Sequence, residues 1–302
     1  MAVFVSLGAI LQGYRVMKTI GKGIILSSPQ AYEEVNETPP PPEFEEYFPG
    51  GQLPDLAIFV ALISAGVFVS LATYSSLPVS TSQSIVGGVA GVGIGIVGFQ
   101  GGYFKMAILA KIFGSWVLCP FLTMILAFIV YFITLKIMKR LNRFSIASRI
   151  LGALVIISAC YSAYSLGAND VGNAIGPLLN KYPTKGFLLA FFGAAGLALG
   201  ALTFSRKVCE TVGKNITPLN YAGAFSAQIS GAFGIHLFSM LGIPVSTSQA
   251  IVGAVIGVGL VKGSKAVSRK MVSQIISGWV LCPLGAAIFA AVLYRLLAAA
   301  LG

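Results

Sequence analysis

Pro78 to Gly93 reads PVSTSQSIVGGVAGVG, and Pro244 to Gly259 reads PVSTSQAIVGAVIGVG, identical at thirteen of sixteen positions. Two further landmarks recur in the same order. Trp116-Val117-Leu118-Cys119-Pro120 returns as Trp279-Val280-Leu281-Cys282-Pro283, and Val16 to Ile24 (VMKTIGKGI) resembles Val208 to Ile216 (VCETVGKNI). The chain is an internal duplication, and the setting of the duplicated pieces tells which kind. With 56% apolar and 10% charged residues and a mean hydropathy of +0.88, a soluble globular class is excluded. Residues 56–104, 112–135, 150–169, 186–205, 215–261 and 271–294 contain no Asp, Glu, Lys or Arg. Each reaches or exceeds the ~20 residues that cross a bilayer as helix. The two longest, 49 and 47 residues, must each hold a spanning helix plus a re-entrant or further helix.

Duplication within a polytopic membrane chain marks transport folds in which the substrate site lies between repeats. The expected class is therefore an all-α polytopic membrane protein of two inverted repeats, with broken or re-entrant helices around a site near the bilayer midplane. The repeats are set at 1–139 and 150–302, joined by a basic linker at 140–149. The densest run of positive charge (Lys136, Lys139, Arg140, Arg143, Arg149) sits there, and it predicts a cytoplasmic linker in a multi-pass protein of the cell membrane. The net charge of +11 lies in such short clusters between apolar runs, which argues for loops of a bilayer protein and against a nucleic-acid partner.

The landmarks do not share one offset: Lys22 pairs with Lys214 at 192 residues, whereas Pro78 pairs with Pro244 at 166. The first repeat thus carries an insertion, the Pro- and Glu-rich stretch 27–54. Pro39 to Pro42 and six glutamates predict a solvated loop with no packed element there. The offset of 192 also sets the counterpart of the helix that begins near Ser145 before Met1. The first repeat is expected to lack its opening helix, and residues 1–12 to form a helix too short to span. An upstream stretch of roughly 45 to 50 residues, enough for one ~20-residue helix and a chain break, would complete the symmetry.

Three polar constellations stand inside apolar sequence, where polar groups are costly and point to function. In Gly167 to Pro177, GANDVGNAIGP, helical spacing sets Asn169, Asp170 and Asn173 on roughly one face. Gly167, Gly172, Gly176 and Pro177 weaken the helix, and freed carbonyls with a carboxylate and amide oxygens make a hard-cation site. The other two are the PVSTSQ copies. Pro followed by Ser80-Thr81-Ser82 or Ser246-Thr247-Ser248 and an apolar Gly-rich run predicts a helix start, capped by hydroxyls. Free amides and the positive helix end there suit phosphate or sulfate without Lys or Arg, and neither occurs in these stretches.

GANDVGNAIGP together with two PVSTSQ copies resembles the inorganic phosphate transporter (PiT) family over nearly the whole chain. That resemblance implies cation-coupled phosphate transport, with sodium or a proton as coupling ion and no other cofactor. By position it implies cation roles for Asn169, Asp170 and Asn173. Phosphate or nearby ion contacts are implied for Ser80, Thr81, Ser82, Gln83, Ser246, Thr247, Ser248 and Gln249. The departures are a missing first-repeat GAND motif and Pro177 where the family has Thr. Sulfate transport by the same architecture, and a truncated, non-transporting membrane protein, are the alternatives; homo-oligomer formation stays open. An enzyme is not expected, because no nucleophile-base pair and no Gly-Lys-Ser/Thr phosphate loop occurs. The remaining polar features have structural readings. Glu210 pairs with Lys207 or Lys214 on a helix. His236 packs or bridges two helices. Cys119, Cys160, Cys209 and Cys282 are buried thiols, Trp116 and Trp279 pack or anchor, and the glycines bring helices close.

Overall fold

A computed structural model describes residues 2–76, 78–140 and 144–301. Fourteen α-helices are described: α1 (Ala2–Gln12), α2 (Tyr14–Lys22), α3 (Pro29–Asn36), α4 (Phe44–Tyr47), α5 (Asp55–Tyr74), α6 (Thr81–Val97), α7 (Met106–Arg140), α8 (Phe144–Leu166), α9 (Gly172–Lys181), α10 (Gly186–Phe204), α11 (Arg206–Glu210), α12 (Tyr221–Met240), α13 (Thr247–Lys262) and α14 (Arg269–Leu301). Wide π turns occupy Gly167–Val171, between α8 and α9, and Thr211–Ile216, after α11. Among the described residues, five spans are long and apolar enough to cross a bilayer: Asp55–Tyr74, Met106–Arg140, Ala147–Leu179, Gly186–Phe204 and Arg269–Leu301. Part of the expected 140–149 linker, residues 144–149, belongs to α8; residues 141–143 lie outside the described ones.

In each long charge-free stretch a full helix is followed by a shorter one that starts partway back across the membrane. After α5 the chain turns at Ser75 and Ser76, and α6 returns along it, with the Ala61 carbonyl against Gly88. After α12 the chain does the same, and α13 returns. The short helices do not rest only on their own repeat. α6 runs along α14, with Gly87 against the Pro283 carbonyl and Gly91 against the Ala287 carbonyl; α13 runs along α7, with Gly253 against Pro120 and Gly257 against Met124. Each repeat thus lends its half-helix to the other's long final helix. Lipid tails supply no hydrophobic drive between helices, so close backbone approach at glycine supplies the contact instead.

The chain ends sort onto two faces. Lys181 at the end of α9 pairs with Asp55 at the start of α5 at 2.5 Å. Lys105, just before α7, donates its amide to the Ile24 carbonyl beyond α2. The end of α2 and of α9 and the start of α5 and of α7 therefore share a first face, and the end of α7, α11 and the start of α12 and α14 share a second.

The insertion at 27–54 corrects the expectation of a solvated loop. Ser28 caps α3, accepting from the Ala31 amide at 3.3 Å, with Pro29 at the first helical position where its missing N–H costs nothing. Phe44 and Phe48 of the α4 region are buried and join Tyr32 and Tyr103, with ring centroids 5.3 to 6.1 Å apart. Asn36 Nδ2 donates to the Gly102 carbonyl at 2.8 Å. Composition argued for disorder, yet four aromatics among the glutamates suffice to nucleate a small cap on the first face, with the carboxylates outward. Burial, reinforced by Tyr32, Tyr47 and Glu43, pushes the Tyr103 phenol above its ordinary value. Phe48→Ala is expected to cost about 3 kcal/mol locally, and limited proteolysis should then cut within 27–54 at least tenfold faster than in the parent.

Candidate functional site

The two PVSTSQ segments start their helices as the sequence predicts. Ser80 Oγ accepts from the Gln83 amide and Ser246 Oγ from the Gln249 amide, both at 3.1 Å. That satisfies one of the four first-turn amides in each helix. Because α6 runs from the membrane interior toward the first face and α13 toward the second, their positive ends meet in the middle.

Asp170 lies at that meeting point. Thr81 Oγ1 donates to its Oδ1 and Thr247 Oγ1 to its Oδ2, each at 3.1 Å, and Asn169 Nδ2 adds a 2.9 Å bond to Oδ1. Asp170 is 8% exposed. Its negative charge is therefore held by one hydroxyl from each repeat and by two helix dipoles. The GAND backbone is not unwound, which corrects the expectation of freed carbonyls there: it stays helical but widens into the π turn Gly167–Val171. Such turns favour functional positions because they re-aim side chains. Gly167 at the turn has Val5 of α1 against it, so closely that a Cβ would lie 1.9 Å from the Val5 carbonyl oxygen.

Asn169 and Asn173 build the rest of the junction. Asn169 brackets the Val245 peptide, accepting from its N–H at 3.1 Å and donating to its carbonyl at 2.8 Å. Ser82 is a hub: its Oγ donates to the Val245 carbonyl and accepts from Nδ2 of Asn173, both at 2.5 Å, and from Asn169 Nδ2 at 3.3 Å. Ser248, the counterpart of Ser82, meets Ser246 Oγ at 3.2 Å and is half-buried. All eleven residues singled out by sequence thus sit on the elements that converge here. They differ in what is left over for a ligand. Oδ1 of Asn173 and Oε1 of Gln83 and Gln249 are buried with no hydrogen-bond partner among the described residues, and hard oxygens of that kind suit a cation.

Sequence reasoning missed Val245, whose part is played by its backbone and leaves no side-chain signal. It also missed Arg15 and Thr19 on α2, which bond the Met240 and Gly242 carbonyls. The VMKTIGKGI repeat, in which Thr19 matches Thr211, was the available sign. Elsewhere His236 Nδ1 meets Tyr161 Oη at 2.8 Å across α12 and α8, a helix-helix bond as expected. Glu210 pairs with Arg206 and Lys214, each at 3.6 Å, and not with Lys207. Cys119 and Cys282 are buried, but Cys209 is exposed, which corrects the uniform burial expected of the thiols.

Comparison with known proteins bears on the same elements. A family model described as the phosphate transporter family matches residues 1–152 and 143–290. A protein of Methanocaldococcus jannaschii, provisionally named a phosphate permease, is 32% identical, covering 78% of this chain and 74% of its own. One of Pyrococcus furiosus under the same provisional name is 29% identical over 98% of this chain and 86% of its own. A solved structure titled "The sodium-dependent phosphate transporter" superposes with a TM-score of 0.79 at 27% identity, covering 99% of this chain and 89% of that one. With the family model matching both repeats, the chain belongs to the phosphate transporter family.

Proposed function

We propose that this protein carries inorganic phosphate across the cell membrane together with sodium, the halves 1–139 and 150–302 moving about a shared site. The observation that carries this reading is the meeting of two oppositely directed helix starts at Asp170. Free first-turn amides of α6 and α13, with the hydroxyls of Ser80, Ser246 and Ser248, supply donors for an anion at neutral cost in formal charge. Asp170 already places one negative charge there. Phosphate can join it only if a cation enters, and Asp170 with Asn169, Asn173 and the unpartnered oxygens of Gln83 and Gln249 offers that cation its ligands. The Gln83 and Gln249 amides also carry NH₂ groups for the anion. Thr81, Thr247 and Ser82 position the carboxylate between the repeats. Obligatory entry of cation and anion together is symport. The sodium-dependent neighbour supports sodium over a proton.

Labelled phosphate uptake into proteoliposomes tests this. Uptake should follow an inward sodium gradient, vanish when choline replaces sodium at constant pH, and be competed by arsenate more strongly than by sulfate. Uptake driven equally by a proton gradient without sodium would refute the coupling ion, and stronger competition by sulfate would refute the substrate. Within the same assay Thr247→Val, which removes a hydroxyl donor to a charged acceptor worth about 1.5 to 3 kcal/mol, should lower sodium affinity at least tenfold.

The fold also supports an orientation. The second face gathers Lys136, Lys139, Arg140, Arg149, Arg206, Lys207, Lys214, Lys265 and Arg269 against Glu210, while the acidic cap lies on the first. By the positive-inside bias the second face is cytoplasmic. Cys209, exposed on α11 of that face, is a native reporter. An impermeant maleimide should label it in inside-out vesicles and not in intact cells; the reverse pattern would invert the assignment.

A further inference from the structure

The turns that end α5 and α12 share two matched backbone bonds, and at α12 Leu241 N–H makes a further one to the Phe238 carbonyl. Ser75 N–H reaches the Leu71 carbonyl and Ser76 N–H that of Thr73; at the offset of 166, Leu241 N–H reaches Leu237 and Gly242 N–H reaches Ser239. Both turns close on a left-handed residue, Ser76 at φ 60° and Gly242 at φ 70°. The helices beside them also correspond. α2 lies against the α12 turn; at the offset of 192 its counterpart is α11 with its π turn, and Phe204, just before α11, lies 6.5 Å from Tyr74 at the end of α5. One connection breaks the match. On the first face the Arg15 guanidinium donates to the Met240 carbonyl, and Thr19 Oγ1 donates to the Gly242 carbonyl at 2.6 Å. On the second face the corresponding groups are Lys207, Thr211, Tyr74 and Ser76. There Thr211 Oγ1 donates to the Lys207 carbonyl at 3.1 Å, as Thr19 Oγ1 also does to the Arg15 carbonyl at 3.4 Å, and among the described residues neither the Lys207 nor the Thr211 side chain reaches the α5 turn. The helix differs as well: Thr19 lies within regular α2, whereas Thr211 opens a π turn.

From this asymmetry we infer that Arg15 with Thr19, and Lys207 with Thr211, are positioning residues forming two alternating latches, one per membrane face, of which the first is closed here. The inference rests on the transport reading above and adds the residues that hold each face shut. Its geometry reaches the site directly. α2 is packed into α9, where a Cβ on Gly172 would come 2.9 Å from Val16 Cβ and one on Gly176 2.8 Å from Ile20 Cβ, so α2 moves with the helix that follows Asp170. Gly242 is four residues before Ser246. A closed first latch therefore clamps the Asp170 helix to the start of the second PVSTSQ segment and seals the site from the first face. When it opens, Lys207 and Thr211 take the Tyr74 and Ser76 carbonyls, which the matched turn already presents. A ligand-coupled transporter needs two such states of similar free energy, and loosening one latch must favour the other.

Reciprocity is the test. In the full-length protein with Cys209→Ser, a cysteine is placed at Ser239, which is buried beneath the closed latch, or at its counterpart Thr73 beneath the open one. Maleimide labelling rates are measured in membranes without phosphate. Arg15→Gln combined with Thr19→Val should speed labelling at position 239 and slow it at position 73, each about tenfold, the factor that about 1.4 kcal/mol corresponds to. Lys207→Gln should do the opposite, and Thr19→Ser, which keeps the hydroxyl, should restore the parent rates. Faster labelling at both positions, the mark of general loosening, or no change at either, overturns the latches. Failure of phosphate uptake by the unsubstituted protein would count against the transport reading instead, since labelling is read without it.

Discussion

Asp170→Asn is expected to reduce sodium-driven phosphate uptake at least about 100-fold while leaving the protein folded. The substitution keeps shape and one carbonyl oxygen but removes the charge toward which Thr81, Thr247 and Asn169 all donate. An amide NH₂ facing those donors repels at least one of them, and the cation loses its counter-ion in a site 8% exposed. About 2.7 kcal/mol of lost stabilisation suffices for a hundredfold effect, well within what a buried charged hydrogen-bond network supplies. The distinguishing readout is sodium: phosphate uptake by the variant should no longer rise with sodium concentration. Uptake within threefold of the parent, still sodium-dependent, would remove Asp170 from the mechanism and with it the proposed site. A monodisperse, normally melting variant is required for the comparison, and Gly66→Ala, at a position where a Cβ meets nothing within 4 Å, is a suitable neutral control.

Gly257→Ala should give a large loss of stability, although it touches no ligand. A Cβ there would fall 2.1 Å from the Met124 carbonyl oxygen, and at the equivalent Gly91 it would fall 2.2 Å from that of Ala287. Both obstacles are backbone, so no side chain can swing away. The helices must separate along their whole crossing, which forfeits the packing that holds them together in lipid. Overpacking ordinarily costs 1 to 3 kcal/mol; here about 3 kcal/mol or more is expected, seen as a fall of several degrees in Tm in detergent. Because α13 carries Ser246 to Gln249 at its start, uptake should fall with stability. A Gly257→Ala protein melting with the parent would mean that α13 and α7 are not packed as described.

Much of this architecture is legible in the residues alone. Charge-free stretches of 49 and 47 residues require a hairpin with a returning helix, because one span consumes only ~20 residues. Ser80 and Ser246 can be read as caps from Ser-Thr-Ser followed by an apolar run, since capping depends on residues three apart in the chain. Asp170 stands out because a carboxylate in apolar sequence needs a partner. The 27–54 segment misleads for a definable reason. Net composition argues for solvation, but burial is decided by a few side chains, and Tyr32, Phe44 and Phe48 find a fourth aromatic, Tyr103, 55 to 71 residues downstream.

The sequence by itself determined the membrane class, the duplication, the helix starts and the identity of the polar residues, all of which rest on hydropathy, caps and spacing within a few turns. Only the tertiary structure decided which apolar face meets which: that α6 reaches beyond its own repeat to α14 and α13 to α7, that Asn169 takes the Val245 peptide, that Thr81 and Thr247 reach one carboxylate from opposite sides, and that Arg15 and Thr19 bond carbonyls at the end of α12 while, among the described residues, Lys207 and Thr211 do not reach theirs. In a bilayer every apolar face is equally content with lipid, so hydropathy carries no pairing information, and pairing is left to the shape of glycine-lined crossings and to backbone carbonyls that no residue type announces.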